Sequence, residues 1–539
     1  MSQEVLKNPI MVSGKGTTSI SAEGLATYVP AAIALLGSVV VVLLRINVGG
    51  ERFITDGALM MLALASYLIA AVFYLTNMYA PFRLAEKLGT WAATLGVLFN
   101  LSSWLVRWVA AYDREVAIFN SQGASAADMP WVFRYVPFAN LYDLSLAFAF
   151  GAGITTLIVI RRNQFRIVAA LSLPLAAIIL VLARFIGSEL VDLPPVLDSY
   201  WRPIHVGIAS LSYGIALVCF AVAVLYLLKD GLKVEKMAVW TSAFAIGTFV
   251  TISKFSIFSP GSFGTYTAST FVGSSRMALG LRADIPYVGW MILAAAALLI
   301  AAVAGYASYF SKNNDIARTW GNRFLYAALL VQGAGISVLV YQLKTLQNVA
   351  ALISPAQYPK FATWMLQQQD MPQAQINLMG QQQLFDIANK WIIENGSQLH
   401  LSLNANPVEL AALITAFTGT FFVVLFGIKT ERIREMLPSV DTLDGLMYKL
   451  AGVTFAGLAL LLMTGAVWAN ESWGRYWGWD AKEVGALVAW LTYAGFLHSR
   501  IAYGWRGRSS AYFAVVAFLF VIFTYLGVSY LLPGLHSYA

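Results

Sequence analysis

Cysteine is nearly absent from this 539-residue chain: Cys219 is the only one. With no Cys-x-x-Cys pair, the chain can run no dithiol–disulfide cycle and can build no cysteine-based zinc site. Cys219 itself falls in an apolar run, where a lone thiol reads as a small core residue. Charge is scarce as well. Only 12% of residues are charged against 59% hydrophobic, and the mean hydropathy is +0.68. That balance excludes a soluble globular protein. The first 28 residues are polar and lack the short apolar core of a cleavable signal peptide. No pair of matching halves with Gly/Pro-broken helices is visible, which argues against a secondary transporter. Histidine is limited to four positions, His205, His400, His498 and His536.

What the chain has in abundance is long apolar runs. About thirteen are long enough to span a bilayer: 29–46, 55–77, 88–110, 142–160, 165–187, 204–228, 238–257, 286–310, 321–343, 407–428, 445–468, 481–503 and 511–532. The expected fold is an all-α polytopic membrane bundle. Strict alternation gathers the basic loops on one side: Arg161/Arg162/Arg166, Lys229/Lys233/Lys236, Lys312/Arg318/Arg323, Lys429/Arg432/Arg434 and Arg500/Arg506/Arg508. Basic loops face the cytoplasm, which puts the N-terminus inside and the C-terminus outside. They also account for the net charge of +8 without any nucleic acid. Four regions are expected: a tail and extra helix over 1–55, a helical block over 56–228, an insertion over 229–437, and a Trp-rich block over 438–539. Within the insertion, 258–285 is rich in Ser, Gly and Thr, and 344–406 is Gln-rich with apolar residues at helical spacing, suiting a small amphipathic cap.

The most informative stretch is WANESWGRYWGWDAKE, from Trp468 to Glu483. It gathers Trp468, Trp473, Trp477, Trp479 and Tyr476 between two spanning segments, on the outer side of the expected topology. Trp and Tyr collect at membrane interfaces in any case, but such belts spread over many helix ends. A single loop this dense suits a large planar ligand with an apolar body and a charged rim, such as haem. Asp480 and Glu483 open the following helix, where acids serve as N-cap and first-turn residues; a contact with the ligand is the other reading. Arg475 and Lys482 suit either haem propionates or the balancing of Glu471, Asp480 and Glu483. The outer loop 111–141 adds Trp131 and Tyr135, with Tyr142 just beyond it.

Ionisable residues within or at the edge of a membrane are costly and mark function. His205 and His536 both fall at the outer edge, at the depth of the Trp-rich loop, and two imidazoles can fill both axial positions of haem iron. Either alone also fits an interfacial histidine bonded to a neighbouring loop. His498 lies 19 positions beyond Trp479, roughly 28 Å deeper on a continuous helix. It suits a second, inner haem, or a side chain snorkelling to the inner interface. His400 reads as a surface or locally packed residue.

These residues resemble the CcsA/ResC family of System II cytochrome c biogenesis, within the group of haem-handling proteins that share a tryptophan-rich "WWD" domain. WGRYWGWDAKEVGALVAWLTYAGFLHSR resembles its central motif and FTYLGVSYLLPGLHSYA its C-terminus. LPPVLDSYWRPIHV is similar to the segment before its first outer histidine, and VPFANLYDLS to its outer-loop motif. The resemblance covers roughly 56–228 and 438–539. It implies that His205 and His536 are axial ligands of an outer haem b held against Trp473, Trp477, Trp479 and Asp480. His498 would be one ligand of an inner haem, the other coming from a separate CcsB/ResB partner, because no histidine precedes His205. The sequence departs from the family pattern at Asp143 (usually Glu), Ala481 (usually Pro), Val484-Gly485 (usually Thr-Trp) and Ser529 (usually Asn), and in the long insertion.

The function so implied is transport and presentation of haem at the outer membrane face for covalent attachment to the CxxCH motif of apocytochrome c, as part of a haem lyase formed with the partner. Thiol reduction would fall to other proteins. A bacterial inner membrane is the expected location, although a thylakoid membrane satisfies the basic-loop rule equally. The competing classes are a membrane electron-transfer subunit with resident haem b and a non-haem transporter. The first expects histidines on facing helices inside the bilayer, whereas two of the three candidates here sit at the outer edge.

Overall fold

The computed structural model describes residues 22–121, 123, 132–186, 190, 195–251, 265–272, 277–369, 371–399 and 407–528. After a short α1 (Ala22–Ala26), each apolar run becomes a helix: α2 (Val29–Val48), α3 (Asp56–Tyr79), α4 (Arg83–Ser121), α5 (Leu141–Ile160), α6 (Ala169–Ile186) and α7 (Trp201–Lys229). Then follow α8 (Val234–Thr251), α9 (Val288–Lys312) and α10 (Asp315–Thr345). Among the described residues, ten helical segments are long and apolar enough to cross a membrane, and an eleventh if a sharply bent pair is counted. Two of the thirteen expected spans, α8 and α17 (Ala481–Ala502), are helical but fall outside this set. Their charged first turns and the aromatic and polar residues along them lower their apolarity. The chain is an integral membrane protein.

The end-to-end grouping of the loops is visible in side-chain ties. Arg166 pairs with Glu86, Lys229 Nζ donates to the Arg434 carbonyl at 2.6 Å, and Arg508 pairs with Asp230. Arg318 pairs with Glu235 at 2.6 Å, and Arg500 with Asp444. All five ties link loops or helix ends expected on the basic side. At the other end Asp56, Arg107 and Asp143 meet, and Arg134 pairs with Asp198.

Two bundles result. In the first, α3 lies along α4, α5 against α6 and α7, and α7 along α16 (Val440–Trp473). At the α5–α7 crossing a Cβ on Gly214 would fall 2.3 Å from the Gly151 carbonyl carbon, so the two backbones touch. Small residues permit such close packing where no hydrophobic effect drives helices together. The helix α18 (Arg508–Ile522) closes this bundle against α7 and α17. In the second bundle α8 packs on α9 and on α14 (Pro407–Ile428), and α10 on α9 and α14. A seven-residue helix α15 (Thr430–Met436) leaves α14 at 88°.

The Gln-rich stretch forms α11 (Tyr358–Gln368), α12 (Gln373–Asn377) and α13 (Gln381–Asn395). Leu384, Ala388 and Ile392, spaced by four, are its buried face. The Ser/Gly/Thr-rich stretch adds one departure from all-α: an antiparallel hairpin of β1 (Thr265–Val272) and β2 (Met277–Asp284), in register from Thr265↔Asp284 to Val272↔Met277. Leu279, Leu281 and Ala283 alternate onto its buried face. The Gln357 side chain bonds both the N–H and the carbonyl of Gly280 at 2.8 Å, so hairpin and helical cap are one unit.

Candidate functional site: a tryptophan-walled cleft

The Trp-rich loop owes its shape to how two helices end. α16 stops at Gly474, whose φ of 70° is the left-handed conformation a helix end favours and whose N–H reaches the Asn470 carbonyl at 2.9 Å. α17 starts at Asp480, which accepts from Lys482 N at 3.2 Å. Glu483 reaches back to Asp480 N at 3.1 Å, completing a capping box, and takes Gly478 N at 2.8 Å as well. Of the two readings of this acid pair, capping is what the geometry displays. Between the two ends Trp479 is held at φ 56°, a backbone conformation rare for a bulky residue, and is 73% exposed. Its ring stands edge-on to Trp477, centroids 5.7 Å apart.

Beneath the loop lies a cleft of about 1100 Å³, open mouth included. Its walls are the α16 end (Leu461 to Trp473), Tyr476 and Trp477 from the loop, and Lys482, Glu483 and Ala486 from α17. Phe138 to Leu144 at the start of α5, His205 to Tyr213 on α7, and Thr524 and Tyr525 after α18 complete it. The Trp468 and Trp477 indole N–H groups are buried there with no acceptor among the described residues. A buried donor without a partner costs about 1–3 kcal/mol, so both are suited to an acceptor on a ligand.

His205 enters the cleft already oriented. Its Nδ1 lies 3.0 Å from the Leu461 carbonyl and 3.4 Å from Thr464 Oγ1. A carbonyl only accepts, so Nδ1 carries the proton and Nε2 is the ring nitrogen able to bind a metal. Gly465 makes the room: a Cβ there would lie 2.7 Å from His205 Cε1. The Trp468 ring backs the imidazole at 5.6 Å.

The structure brings His205, Trp473 and Trp477 to one cleft. Trp479 stands at the rim, and Asp480, 8% exposed, caps the helix beside it. His536 and His400 lie outside the described residues, as do Trp131 and Ser529. His498 is at the far end of α17, exposed, its ring edge-on to Tyr503 at 5.7 Å. Arg475 makes no ion pair among the described residues, so it does not balance the neighbouring acids. It folds back over Gly478, where a Cβ would sit 3.1 Å from its guanidinium. Lys482, one of the two cations singled out in the sequence, is a wall of the cleft; sequence reasoning missed Gly465 and a buried group behind the rim. There Arg107 pairs with Asp143, and with Asp56 at 3.3 Å, while Asp143 Oδ2 accepts Ala139 N at 2.9 Å. Asn140 caps α5 by accepting Asp143 N at 3.0 Å. The acid of the outer-loop motif thus fixes the backbone that lines the cleft.

The cleft falls within the part of the chain that known proteins share. The family model described as "Cytochrome C assembly protein" matches residues 138–536, about three quarters of the sequence. The chain belongs to the cytochrome c assembly protein family. Within it, the chain is 50% identical over 104 residues to the "Cytochrome c biogenesis protein CcsA" of Picosynechococcus sp., covering 19% of this chain and 31% of that protein. It is 43% identical over 126 residues to the protein of the same name from Chlamydomonas reinhardtii, covering 23% and 36%. The Gloeobacter violaceus counterpart is 43% identical over 143 residues, covering 26% and 39%. The matched stretches thus span between 31% and 39% of the length of these three relatives.

Proposed function

We propose that the chain serves cytochrome c assembly by holding haem in the outer cleft and presenting it for covalent attachment. The carrying observation is the seat of His205: an imidazole with Nδ1 bonded to the Leu461 carbonyl, inside a cleft walled by tryptophans. Haem is cargo here rather than a resident cofactor, and the residues fit it. The indoles offer flat apolar faces, Trp468 and Trp477 offer N–H donors, and Lys482 and Arg475 offer positive charge for propionates. His536, at the outer edge by sequence, is the second axial ligand. Filling both axial positions disfavours oxygen chemistry at the iron.

Attachment then needs no redox change on this chain. Each reduced thiol of the apocytochrome CxxCH adds across a vinyl group; a carbon–sulfur bond forms and the thiol proton ends on the neighbouring vinyl carbon. The substrate's own histidine displaces a protein imidazole, which frees the product. The chain contributes position, not acid–base catalysis. His498, exposed at the opposite end of α17, serves as one ligand of an inner haem whose second ligand comes from a CcsB/ResB-like partner. A resident electron-transfer haem is disfavoured, because His205 and His498 sit at opposite ends of the bundle.

The test is to purify the chain with and without such a partner and record absorption spectra. We expect a bis-histidine haem spectrum, lost in His205→Ala and in His536→Ala and restored by added imidazole. Haem content untouched by both changes, or cytochrome c maturing normally in cells that lack the chain, overturns the reading.

A further inference from the structure

The second bundle holds a cavity that the cleft does not explain. It lies at the basic end of the molecule, among α8, α9, α10, α14 and α15, and encloses about 1260 Å³, open mouth included. Its deeper wall is apolar, with Ala238, Leu325, Val423 and Val424. Its rim carries five cations, Lys233, Arg318, Lys429, Arg432 and Arg434, against two carboxylates, Glu235 and Glu431.

Two of the cations are structural ties. Arg318 pairs with Glu235 at 2.6 Å. Arg434 bonds the Leu228 and Leu232 carbonyls, each at 2.9 Å, and Glu431 at 2.7 Å. Both carboxylates are thereby neutralised. The remaining three cations have no carboxylate among the described residues. Lys233 donates to the Tyr309 hydroxyl at 3.4 Å and lies over the Tyr309 and Phe310 rings. Lys429 and Arg432 flank the 88° elbow where α15 turns off α14, both exposed. The elbow places a helix across the end of the bundle and aims these charges over the cavity mouth.

We infer that this cavity binds an anionic phospholipid, its phosphate held by Lys233, Lys429 and Arg432 and its upper acyl chains against the apolar wall. A phosphate matches a guanidinium fork and point-charge ammonium groups. The apolar depth favours a lipid over a free phosphate compound, which would leave that wall without a partner. Location agrees, since basic pockets between membrane helices on the cytoplasmic side meet the leaflet richest in anionic lipid.

The test uses the purified full chain in detergent and native mass spectrometry. Phosphatidylglycerol and phosphatidylcholine of matched acyl chains are titrated, with inorganic phosphate and glycerol phosphate as competitors. We expect phosphatidylglycerol to be retained in preference to phosphatidylcholine and neither soluble phosphate to displace it. The double variant Lys429→Gln/Arg432→Gln should bind phosphatidylglycerol roughly thirtyfold more weakly. Arg83→Gln/Lys87→Gln, which removes the same charge from the same end away from the cavity, should bind it unchanged. Equal retention of the two lipids, displacement by either soluble phosphate, or unchanged binding by K429Q/R432Q would each overturn the inference. Haem content of K429Q/R432Q reports separately on the outer cleft and should not move.

Discussion

The two ends of α17 present two ways of treating a histidine. At the outer end His205, carried by the neighbouring α7, is locked. Its Nδ1 is bonded, its ring is backed by Trp468, and Gly465 leaves just the space it needs. At the inner end His498 is exposed with only Tyr503 beside it. What holds the inner end is a different residue pair. Arg500 grips Asp444 on α16 through Nη1 and Nη2, one to each carboxylate oxygen, and lies over the Tyr448 ring at 4.7 Å. The end of α17 at the Trp-rich loop thus lies beside a histidine seated by the chain's own groups, whereas its other end is tied through Arg500 and Asp444 and leaves its histidine exposed. A preorganised ligand suits a place where cargo is held; an exposed one suits a place completed by a neighbour.

The comparison can be broken first at the support. Arg500→Ala or Asp444→Ala strips a buried partner and leaves the other charge stranded, at a cost of about 3–5 kcal/mol. Both side chains are little exposed, 11% and 12%. We expect a large drop in thermal stability and in membrane yield, with the double variant Arg500→Met/Asp444→Leu recovering much of it. A loss in the single variants no greater than for an exposed pair would show that the inner end does not depend on this grip.

The second break separates the histidines. In the chain purified without its partner, His205→Ala should lose haem from the cleft by more than the roughly 10–100-fold typical of disturbing a ligand's support. His498→Ala should leave that haem unchanged, and should matter only when the partner is present. Equal losses from both in the isolated chain would erase the distinction between a built site and an offered one.

Between these lies the seat. Gly465→Ala puts a methyl group 2.7 Å from His205 Cε1 and 3.0 Å from its Nδ1, so the imidazole must shift from its seat. Displacing the imidazole should weaken haem retention roughly 10–100-fold. The overpacking costs about 1–3 kcal/mol of stability. Imidazole added to the solution should restore the haem spectrum in part, a recovery that general misfolding would not allow.

Much of this was readable beforehand. Each of the thirteen apolar runs marked a helix, although α4 runs on to Ser121 and α18 stops at Ile522, well away from the expected ends; the basic loops gave the grouping of ends, and tryptophan density gave the cleft wall. The hairpin was missed because its strands read first as Ser, Thr and Gly content, although Thr265–Val272 is rich in β-branched and aromatic residues. The seat of His205 was not readable, because the Leu461 carbonyl lies 256 positions away and every residue has a carbonyl. Arg107 was hidden in the same way. Its partners Asp56 and Asp143 lie 51 and 36 positions off, and only the packing of α3, α4 and α5 brings them together. The sequence assigned no role to the acid of the outer-loop motif; in the structure the Asp143 carboxylate holds Arg107 and the Ala139 N–H.

The smallest effect decides the role of Asp480. As an N-cap it accepts from Lys482 N and forms half of a capping box with Glu483. Asn caps a helix about as well as Asp, whereas Ala costs about 1 kcal/mol. If capping is its whole role, Asp480→Asn keeps both stability and haem content, and Asp480→Ala lowers stability by that amount with a proportionate, few-fold loss of haem. If the carboxylate also meets the haem rim, Asp480→Asn keeps the stability and loses haem, because only the charge has gone. Thermal melting and the haem-to-protein absorbance ratio, measured on the same two variants, separate the two. The capped geometry leads us to expect the first result. It would assign to the loop an outer wall of tryptophans standing on a helix start that has no chemistry of its own.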